Sequence, residues 1–179
     1  MYRALAQAIP DRVPAQSAGT MNNWTMGGMT VHNHPFAYYE TLGGGMGARA
    51  TLPGLAAVQT HMTNTRNTPV EIFERLYPVR VCTLAIRRGS GGSGAYPGGD
   101  GLRKSVEFLT DVTITLLTER RAIAPAGAAG GSDGQCGQNT MHYPDGVTVS
   151  AAKGTYELPR GSMLCIETPG GGGHGEPLG

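Results

Sequence analysis

The clearest pattern along the chain is an alternation of apolar and polar residues between positions 106 and 116. The apolar residues fall on even positions: Val106, Phe108, Val112, Ile114 and Leu116. A period of two is typical of a strand that buries one face against a core. The polar pair Thr110-Asp111 interrupts the alternation, so the pattern predicts two consecutive strands.

Other short apolar runs predict further strands. They span residues 79–86, 146–150, 155–158 and 162–167. Pro159-Arg160-Gly161 separates the last two runs and is typical of a tight turn. We therefore expect several short strands in the C-terminal half, joined by turns.

Three segments predict short helices. Residues 4–9 end at a proline, and residues 55–63 carry apolar side chains at helical spacing, namely Leu55, Val58 and Met62. The third helix has a start signal, because Thr68 can cap it, Pro69 suits its first position and Glu71 completes a capping box. Pro78 is expected to end it.

These elements show no alternation of strand, helix and strand, so they do not predict a parallel sheet. They predict an α+β fold dominated by strands, with antiparallel sheets and two or three short helices. A barrel and a sandwich are both open for the C-terminal end. A length of 179 residues suits a single domain spanning residues 1–179.

Composition narrows the classes of function. The net charge is +1 and the pI about 7.8, so no basic field is present to attract nucleic acid. No run of apolar residues reaches the length of a membrane span, and no signal peptide is evident, so the cytoplasm is the expected location. The three cysteines are odd in number and form no CxxC pair, and Cys82 and Cys165 lie in apolar runs where buried, inert thiols are expected.

Glycine is unusually frequent, with 29 residues gathered in clusters. Such clusters in a globular sequence predict tight turns and close approach of backbone segments. Residues 89–94 match the pattern GxGxxG, but Ala95-Tyr96-Pro97 follows instead of a helix, and no Walker A lysine follows any glycine cluster. Turn geometry is therefore favoured over nucleotide binding.

Candidate chemistry lies mainly between residues 38 and 68. Glu40, followed by Thr41 and the triple glycine 43–45, can serve as a base or a hydrogen-bonding clamp, and the alternative is an exposed strand end. Residues 61–68 are dense in donors and acceptors, including His61, Asn64 and Asn67. They either line a polar pocket or cap helices locally.

A metal site is a further hypothesis. His32 and His34 are two positions apart, which on a strand places both imidazoles on one face. With His61 or Glu40 they could bind a metal ion, and the alternative is a polar surface loop. No GxSxG elbow is present for a serine nucleophile. The residues alone therefore define no self-sufficient active site.

Several motifs together resemble one family. They are Arg12-Val13-Pro14-Ala15, Gly19-Thr20-Met21-Asn22-Asn23, residues 38–48, 60–65, 67–71, 87–92 and 98–102, Glu119-Arg120-Arg121, and residues 167–173. In this order they resemble the C-terminal third of hydantoinase B-type subunits, a family shared with 5-oxoprolinases and acetone carboxylases. The resemblance covers nearly the whole chain. Glu176 stands where the family pattern has aspartate, and His32-Asn33-His34 falls in a variable region.

The resemblance implies an ATP-dependent opening of a cyclic amide by two kinds of subunit. An A-type subunit would bind ATP with magnesium and phosphorylate the amide oxygen. The N-terminal part of the B-type subunit, which this chain lacks, would hold a divalent metal. Both would be partners of this chain, whose candidates for lining a shared site are Glu40, Thr41, His61, Asn64 and Asn67.

Three other functions remain open beside a C-terminal component of a hydantoin or 5-oxoproline hydrolase. One is the carboxylase branch of the same family, in which a phosphorylated intermediate and carbon dioxide combine with a ketone. Another is a structural module that completes the fold of a separately encoded half. The last is a small metal-binding module built on His32, His34 and His61.

Overall fold

The computed structural model describes residues 2–61 and 63–177. These residues form two short α-helices, α1 (Tyr2–Leu5) and α2 (Val70–Leu76), and a 3-10 turn at Pro10–Arg12. The strands are β1 (Asn23–Met29), β2 (Pro35–Thr41), β3 (Val79–Arg87), β4 (Gly101–Phe108), β5 (Val112–Leu117), β6 (Gln138–His142), β7 (Thr148–Ser150), β8 (Gly154–Leu158) and β9 (Met163–Glu167). No helix in the described parts of the chain is long and apolar enough to cross a membrane.

The strands form two antiparallel sheets. One has the order β2-β1-β5-β8 and the other β3-β4-β9-β6-β7. Both contribute apolar side chains to one core, including Trp24 and Ile114 from the first sheet and Phe108 and Leu164 from the second. The predicted α+β, strand-dominated fold is confirmed, and it takes the sandwich form, with two open sheets among the described residues.

The alternation at residues 106–116 predicted the core correctly. All five apolar residues on even positions are buried, and the break falls between β4 and β5 as predicted. The two strands belong to different sheets, so the chain crosses the sandwich at Leu109–Asp111. The runs at 79–86, 146–150, 155–158 and 162–167 are also confirmed as strands β3, β7, β8 and β9.

Three strands were not predicted, namely β1, β2 and β6. β1 contains Gly27-Gly28, β2 begins with Pro35, and β6 is rich in polar residues. Glycine, proline and asparagine are depleted in strands, so local propensity argues against all three. Hydrogen bonding to neighbouring strands outweighs this low propensity in β1 and β6, because each of them lies between two partner strands.

The predicted helix at residues 55–63 is wrong. The described part of this segment is irregular and runs alongside the first glycine cluster, where Val58 and Gly44 exchange backbone hydrogen bonds of 2.9 and 3.1 Å. Ala57 and His61 also adopt positive φ, which a helix does not allow. These backbone hydrogen bonds to a distant segment compete with the hydrogen bonds of a helix, and they outweigh the helical spacing of the apolar residues. Met62, part of that pattern, lies outside the described residues.

The other two helices are present but altered. The first is α1, which ends at Leu5, with a turn to Ile9 in place of the predicted helix over 4–9. The last begins one residue later than predicted, because Pro69 has extended backbone (ψ 142°) and is itself the N-cap, so no capping box forms with Thr68. Within this helix only Phe73 is buried.

A second region packs by backbone rather than by side chains. We call residues 43–48, 89–101, 125–135 and 168–175 the glycine layer. They run as irregular segments joined by hydrogen bonds, such as Gly99 N–H to the Met46 carbonyl (2.8 Å) and Gly171 N–H to the Gly99 carbonyl (2.9 Å). A Cβ at Gly45 or Gly171 would overlap backbone atoms of the neighbouring segment. The expected close approach of backbone segments is confirmed.

Candidate functional site

Glu40 lies near the end of β2 and points into the core. Its carboxylate accepts hydrogen bonds from Trp24 Nε1 (3.0 Å), Lys104 Nζ (2.5 Å) and Asn67 Nδ2 (2.8 Å). Trp24 is its register partner on β1, and Lys104 comes from β4 of the opposite sheet. The ion pair between Glu40 and Lys104 therefore joins the two sheets through the core. The alternative of an exposed strand end at Glu40 is wrong.

Lys104 is almost as buried as Glu40, with 4% and 3% of their side chains exposed. Its ammonium nitrogen lies 4.8 Å from the ring centre of Phe73 and 5.9 Å from that of Trp24. Aromatic faces attract a cation, so the rings replace part of its lost hydration. Both charges are thereby compensated, although a buried ion pair adds little net stability compared with an apolar pair.

Tyr38 lies beside this ion pair in an aromatic cluster. Its ring centre is 4.5 Å from that of Phe73 and 5.8 Å from that of Trp24. Burial raises the pKa of the Tyr38 phenol well above its usual range, and the Glu40 charge acts in the same direction. Its hydroxyl has no hydrogen-bond partner among the described residues. The phenol is therefore neutral at physiological pH.

Asn67 connects this buried cluster with the surface. Its side-chain amide donates to the Glu40 carboxylate and to the Thr41 carbonyl, each at 2.8 Å. Thr41 Oγ1 also accepts a hydrogen bond from Gln59 Nε2 at 3.3 Å. Gln59 and Asn67 are thus both held at the end of β2. Glu40, Thr41 and Asn67, which the sequence singled out, are together in the structure.

The remaining candidates lie elsewhere. His61 and Asn64 lie between Gln59 and Asn67, and both are exposed. The centre of the His61 ring lies 4.7 Å from that of Tyr2. His32 and His34 lie on the exposed turn between β1 and β2, where His34 N–H bonds to Thr30 Oγ1. Across residues 2–61 and 63–177, no three His, Cys, Asp or Glu side chains form a group that could hold a metal.

Sequence analysis missed Lys104 and Trp24, the other two members of the cluster. Lys104 lies in phase with Val106 and Phe108, so a charged residue stands at a position where the alternation predicts burial. That signal could have identified a buried ion pair. Trp24 had no such signal because β1 was not predicted. Cys82 also differs from expectation, since its side chain is exposed on β3 rather than buried.

A second polar region surrounds Arg121. Its guanidinium donates to Asn22 Oδ1 (2.8 Å), the Glu119 carbonyl (2.7 Å) and Asn139 Oδ1 (2.7 Å). Burial lowers the pKa of Arg121 to about 10, and the charge of Arg87 adds to this effect. Arg121 lines a cavity of about 810 Å³ between the end of β5 and the start of β6.

The comparisons with known proteins identify the family. The model of the hydantoinase B/oxoprolinase family matches residues 1–177, and the chain belongs to this family. It is 43% identical over 163 residues to a 5-oxoprolinase from Dictyostelium discoideum, covering 90% of this chain and 12% of that protein. It is 32% identical over 183 residues to a protein described as the B-type subunit of a D-/L-hydantoinase from Pseudomonas sp., covering 99% and 30%.

Two solved structures share the fold. The ATP-dependent caprolactamase from Pseudomonas jessenii superposes with a TM-score of 0.79 at 22% identity, covering 97% of this chain and 32% of that one. Nucleotide-free acetone carboxylase gives a TM-score of 0.75 at 19% identity, covering 97% and 28%. The chain thus spans between about an eighth and a third of the proteins that it resembles.

Proposed function

We propose that this chain is the C-terminal component of an ATP-dependent hydrolase of cyclic amides, active only together with partner polypeptides. The observation that carries the proposal is the family match over residues 1–177 combined with the small share of each relative that the chain covers. The names of the relatives, 5-oxoprolinase and hydantoinase, support hydantoins or 5-oxoproline as the substrate class. A cytoplasmic location is part of the proposal.

ATP with magnesium and the divalent metal belong to the partner regions in this proposal. The described residues do not fit either group, because no set of three metal-binding side chains converges. Backbone N–H groups of the GxGxxG loop already have acceptors within the protein. Gly91 N–H donates to the Asp100 carboxylate, and Gly92 N–H donates to the Gly171 carbonyl. These donors are not available to cradle phosphates.

The A-type partner phosphorylates the amide oxygen in the proposed reaction, which makes the amide carbon easier for water to attack. In this chain Glu40 is a positioning residue, since its carboxylate is fully engaged by Trp24, Lys104 and Asn67. Through Asn67 it fixes one end of the segment that carries His61 and Asn64. The exposed side chains of His61 and Asn64 are then the ones available to a shared site, with His61 the candidate for proton transfer.

A reconstituted complex tests the proposal. The chain would be purified with the A-type subunit and the N-terminal B-type part, and ring opening of 5-oxoproline and hydantoin measured with phosphate release from ATP. We expect ring opening to require ATP and every component. Full activity without this chain would contradict the proposal and favour a purely structural module. ATP use that needs a ketone and bicarbonate would instead identify the carboxylase branch.

Variants then separate the candidate residues. We expect His61→Ala to lower kcat in the reconstituted enzyme, while the double variant His32→Ala/His34→Ala, on the distant exposed turn, serves as the matched control. Metal analysis of the same variants tests the metal-binding module. Loss of a stoichiometric metal from the His32/His34 variant, with His61→Ala unaffected in activity, would overturn these assignments.

A further inference from the structure

Arg121 differs from two other buried or half-buried cations, Lys104 and Arg87, in its partners. Lys104 pairs with Glu40, and Arg87 pairs with Glu167 at 3.5 Å. The three acceptors of Arg121 are neutral oxygens, and no carboxylate among the described residues forms an ion pair with it. Burying a cation without an anion is costly, and such groups are normally paired or bound to a ligand.

The guanidinium also has unused donors. It carries five N–H groups, of which three are engaged by Asn22, Glu119 and Asn139. Nη1 makes two of these bonds and Nη2 makes one. Nε is buried out of contact with solvent and has no partner in the described chain. Of the two unused donors, on Nε and Nη2, only the Nη2 hydrogen can therefore be offered to a carboxylate in the cavity, as a charge-assisted hydrogen bond.

The local backbone holds Arg121 in this position. Arg120 adopts a φ of 59°, in the left-handed region that is unusual for arginine, and its carbonyl accepts a hydrogen bond from Gly137 N–H at 2.9 Å. A Cβ at Gly137 would come within 2.7 Å of Arg121 Nη1, so glycine leaves the space that the guanidinium fills. Strained backbone of this kind often accompanies a binding site.

The cavity suits an anion with an apolar body. Its volume of about 810 Å³ lies within the range of small-molecule sites. Three cationic side chains line it, namely Arg120, Arg121 and Lys153, against the single carboxylate of Glu119, which Lys153 engages at 2.7 Å. Ile123, Ala122 and Ala152 supply apolar surface beside these charges.

We propose that this cavity is a binding site for a carboxylate, held by the Arg121 guanidinium beside Asn139. The carboxylate comes either from a small molecule or from an aspartate or glutamate of a partner polypeptide, and the chemistry is the same in both cases. Arg121 is a binding residue in this proposal, and Asn139 orients it. The site is independent of the Glu40 cluster and of the proposed cyclic-amide reaction.

Titration of the isotope-labelled chain tests the small-molecule source. The side-chain Nε–H resonance of Arg121, assigned by its loss in Arg121→Lys, would be followed by NMR while butyrate or the neutral analogue butyramide is added. We expect saturable shifts with butyrate and at least about tenfold weaker binding of butyramide, because charge-assisted hydrogen bonds are the stronger kind. Arg80→Gln, which removes a 65% exposed cation outside the cavity, should leave binding unchanged.

A second pair of variants keeps the test decisive if Arg121→Lys does not fold. Ile123 lines the cavity and is 73% exposed, so it tolerates polar substitution. Ile123→Glu places a competing carboxylate beside Arg121 and should abolish butyrate binding, whereas the neutral, matched Ile123→Gln should retain it. Equal responses to butyrate and butyramide would overturn the proposal.

The partner source is tested in the purified complex. Phenylglyoxal, which modifies arginine, would be applied to the free chain and to the chain bound to its partners, with mass spectrometry at Arg121. Protection by partners, without butyrate binding to the free chain, would assign the carboxylate to a partner side chain and support the proposal. Neither butyrate binding nor protection would overturn it.

Discussion

The sandwich and the glycine layer are packed by opposite means. In the sandwich, side chains such as Trp24, Phe108 and Leu164 fill the space between two sheets. In the glycine layer, backbone packs against backbone. At Gly45, Gly98 and Gly171 glycine is needed because no side chain fits, since none of these three has positive φ. A side-chain core can adjust its rotamers, whereas a backbone layer has no such freedom. The two regions should therefore respond differently to one added or removed carbon.

The largest effect is expected in the glycine layer. Gly171→Ala would place a Cβ against the carbonyl of Met46 and the nitrogen of Gly47, which are both backbone atoms. We expect a loss of more than about 5 kcal/mol in the free energy of unfolding, large enough to leave the chain unfolded. Circular dichroism and urea unfolding measure it.

The matched control is Gly27→Ala in β1. Its nearest non-neighbouring atom would be 3.4 Å from the added Cβ, and its φ is not positive. We expect a change within about 1 kcal/mol of wild type. Equal losses at Gly27 and Gly171 would mean that the glycine layer has no special packing requirement.

The next effect is expected at the ion pair that joins the two sheets. Glu40→Gln leaves the Lys104 ammonium buried without its anion. We expect a loss of about 3–5 kcal/mol, measured by urea unfolding. The double variant Glu40→Gln/Lys104→Met should recover a large part of that loss, because it removes the stranded charge as well. A double variant less stable than Glu40→Gln would contradict the account.

A smaller effect is expected when the sandwich loses one methylene. Ile114 is fully buried in β5, and Ile114→Val should cost about 1 kcal/mol. Thermal unfolding followed by circular dichroism would measure it. A loss comparable with that of Gly171→Ala would remove the contrast between adaptable side-chain packing and rigid backbone packing.

The smallest effect is expected at Tyr38. Its hydroxyl is buried without a hydrogen-bond partner among the described residues, so Tyr38→Phe should change stability by less than about 1 kcal/mol at neutral pH. The folded pKa is raised, so the unfolded chain loses this proton first as pH rises above the ordinary value of 10.0. Tyr38 therefore contributes stability below that pH and loses it above.

The pH dependence of stability distinguishes the wild-type chain from the Tyr38→Phe variant. Wild-type stability should fall more steeply above pH 10 than that of Tyr38→Phe, as measured by urea unfolding at several pH values. Identical slopes would show that the phenol ionises as readily in the folded chain as in the unfolded one.

The sequence predicted what local patterns can encode. Alternation at 106–116 identified the two central strands and their break, and the order of motifs identified the family. Local patterns failed where distant backbone decided the outcome, as at Val58, whose pairing with Gly44 replaced a helix. β1 was missed because Gly27-Gly28 argues against a strand when its two partner strands are not considered.

The candidate sites divide in the same way. Glu40 and Thr41 were singled out because they precede the triple glycine 43–45, and Asn67 because residues 61–68 are dense in donors and acceptors. Lys104 was detectable as a charge in phase with buried positions. Arg121 was not, because its partners Asn22 and Asn139 lie 99 and 18 residues away along the chain. Only the folded structure brings these residues together.

The central claim is that the chain works as part of a larger assembly. Co-purification of the tagged chain from its native cell extract, followed by mass spectrometry, tests this claim most directly. The account predicts recovery of an A-type ATP-binding subunit together with the N-terminal B-type part. Recovery of the chain alone, at wild-type expression and in a folded state, would contradict it.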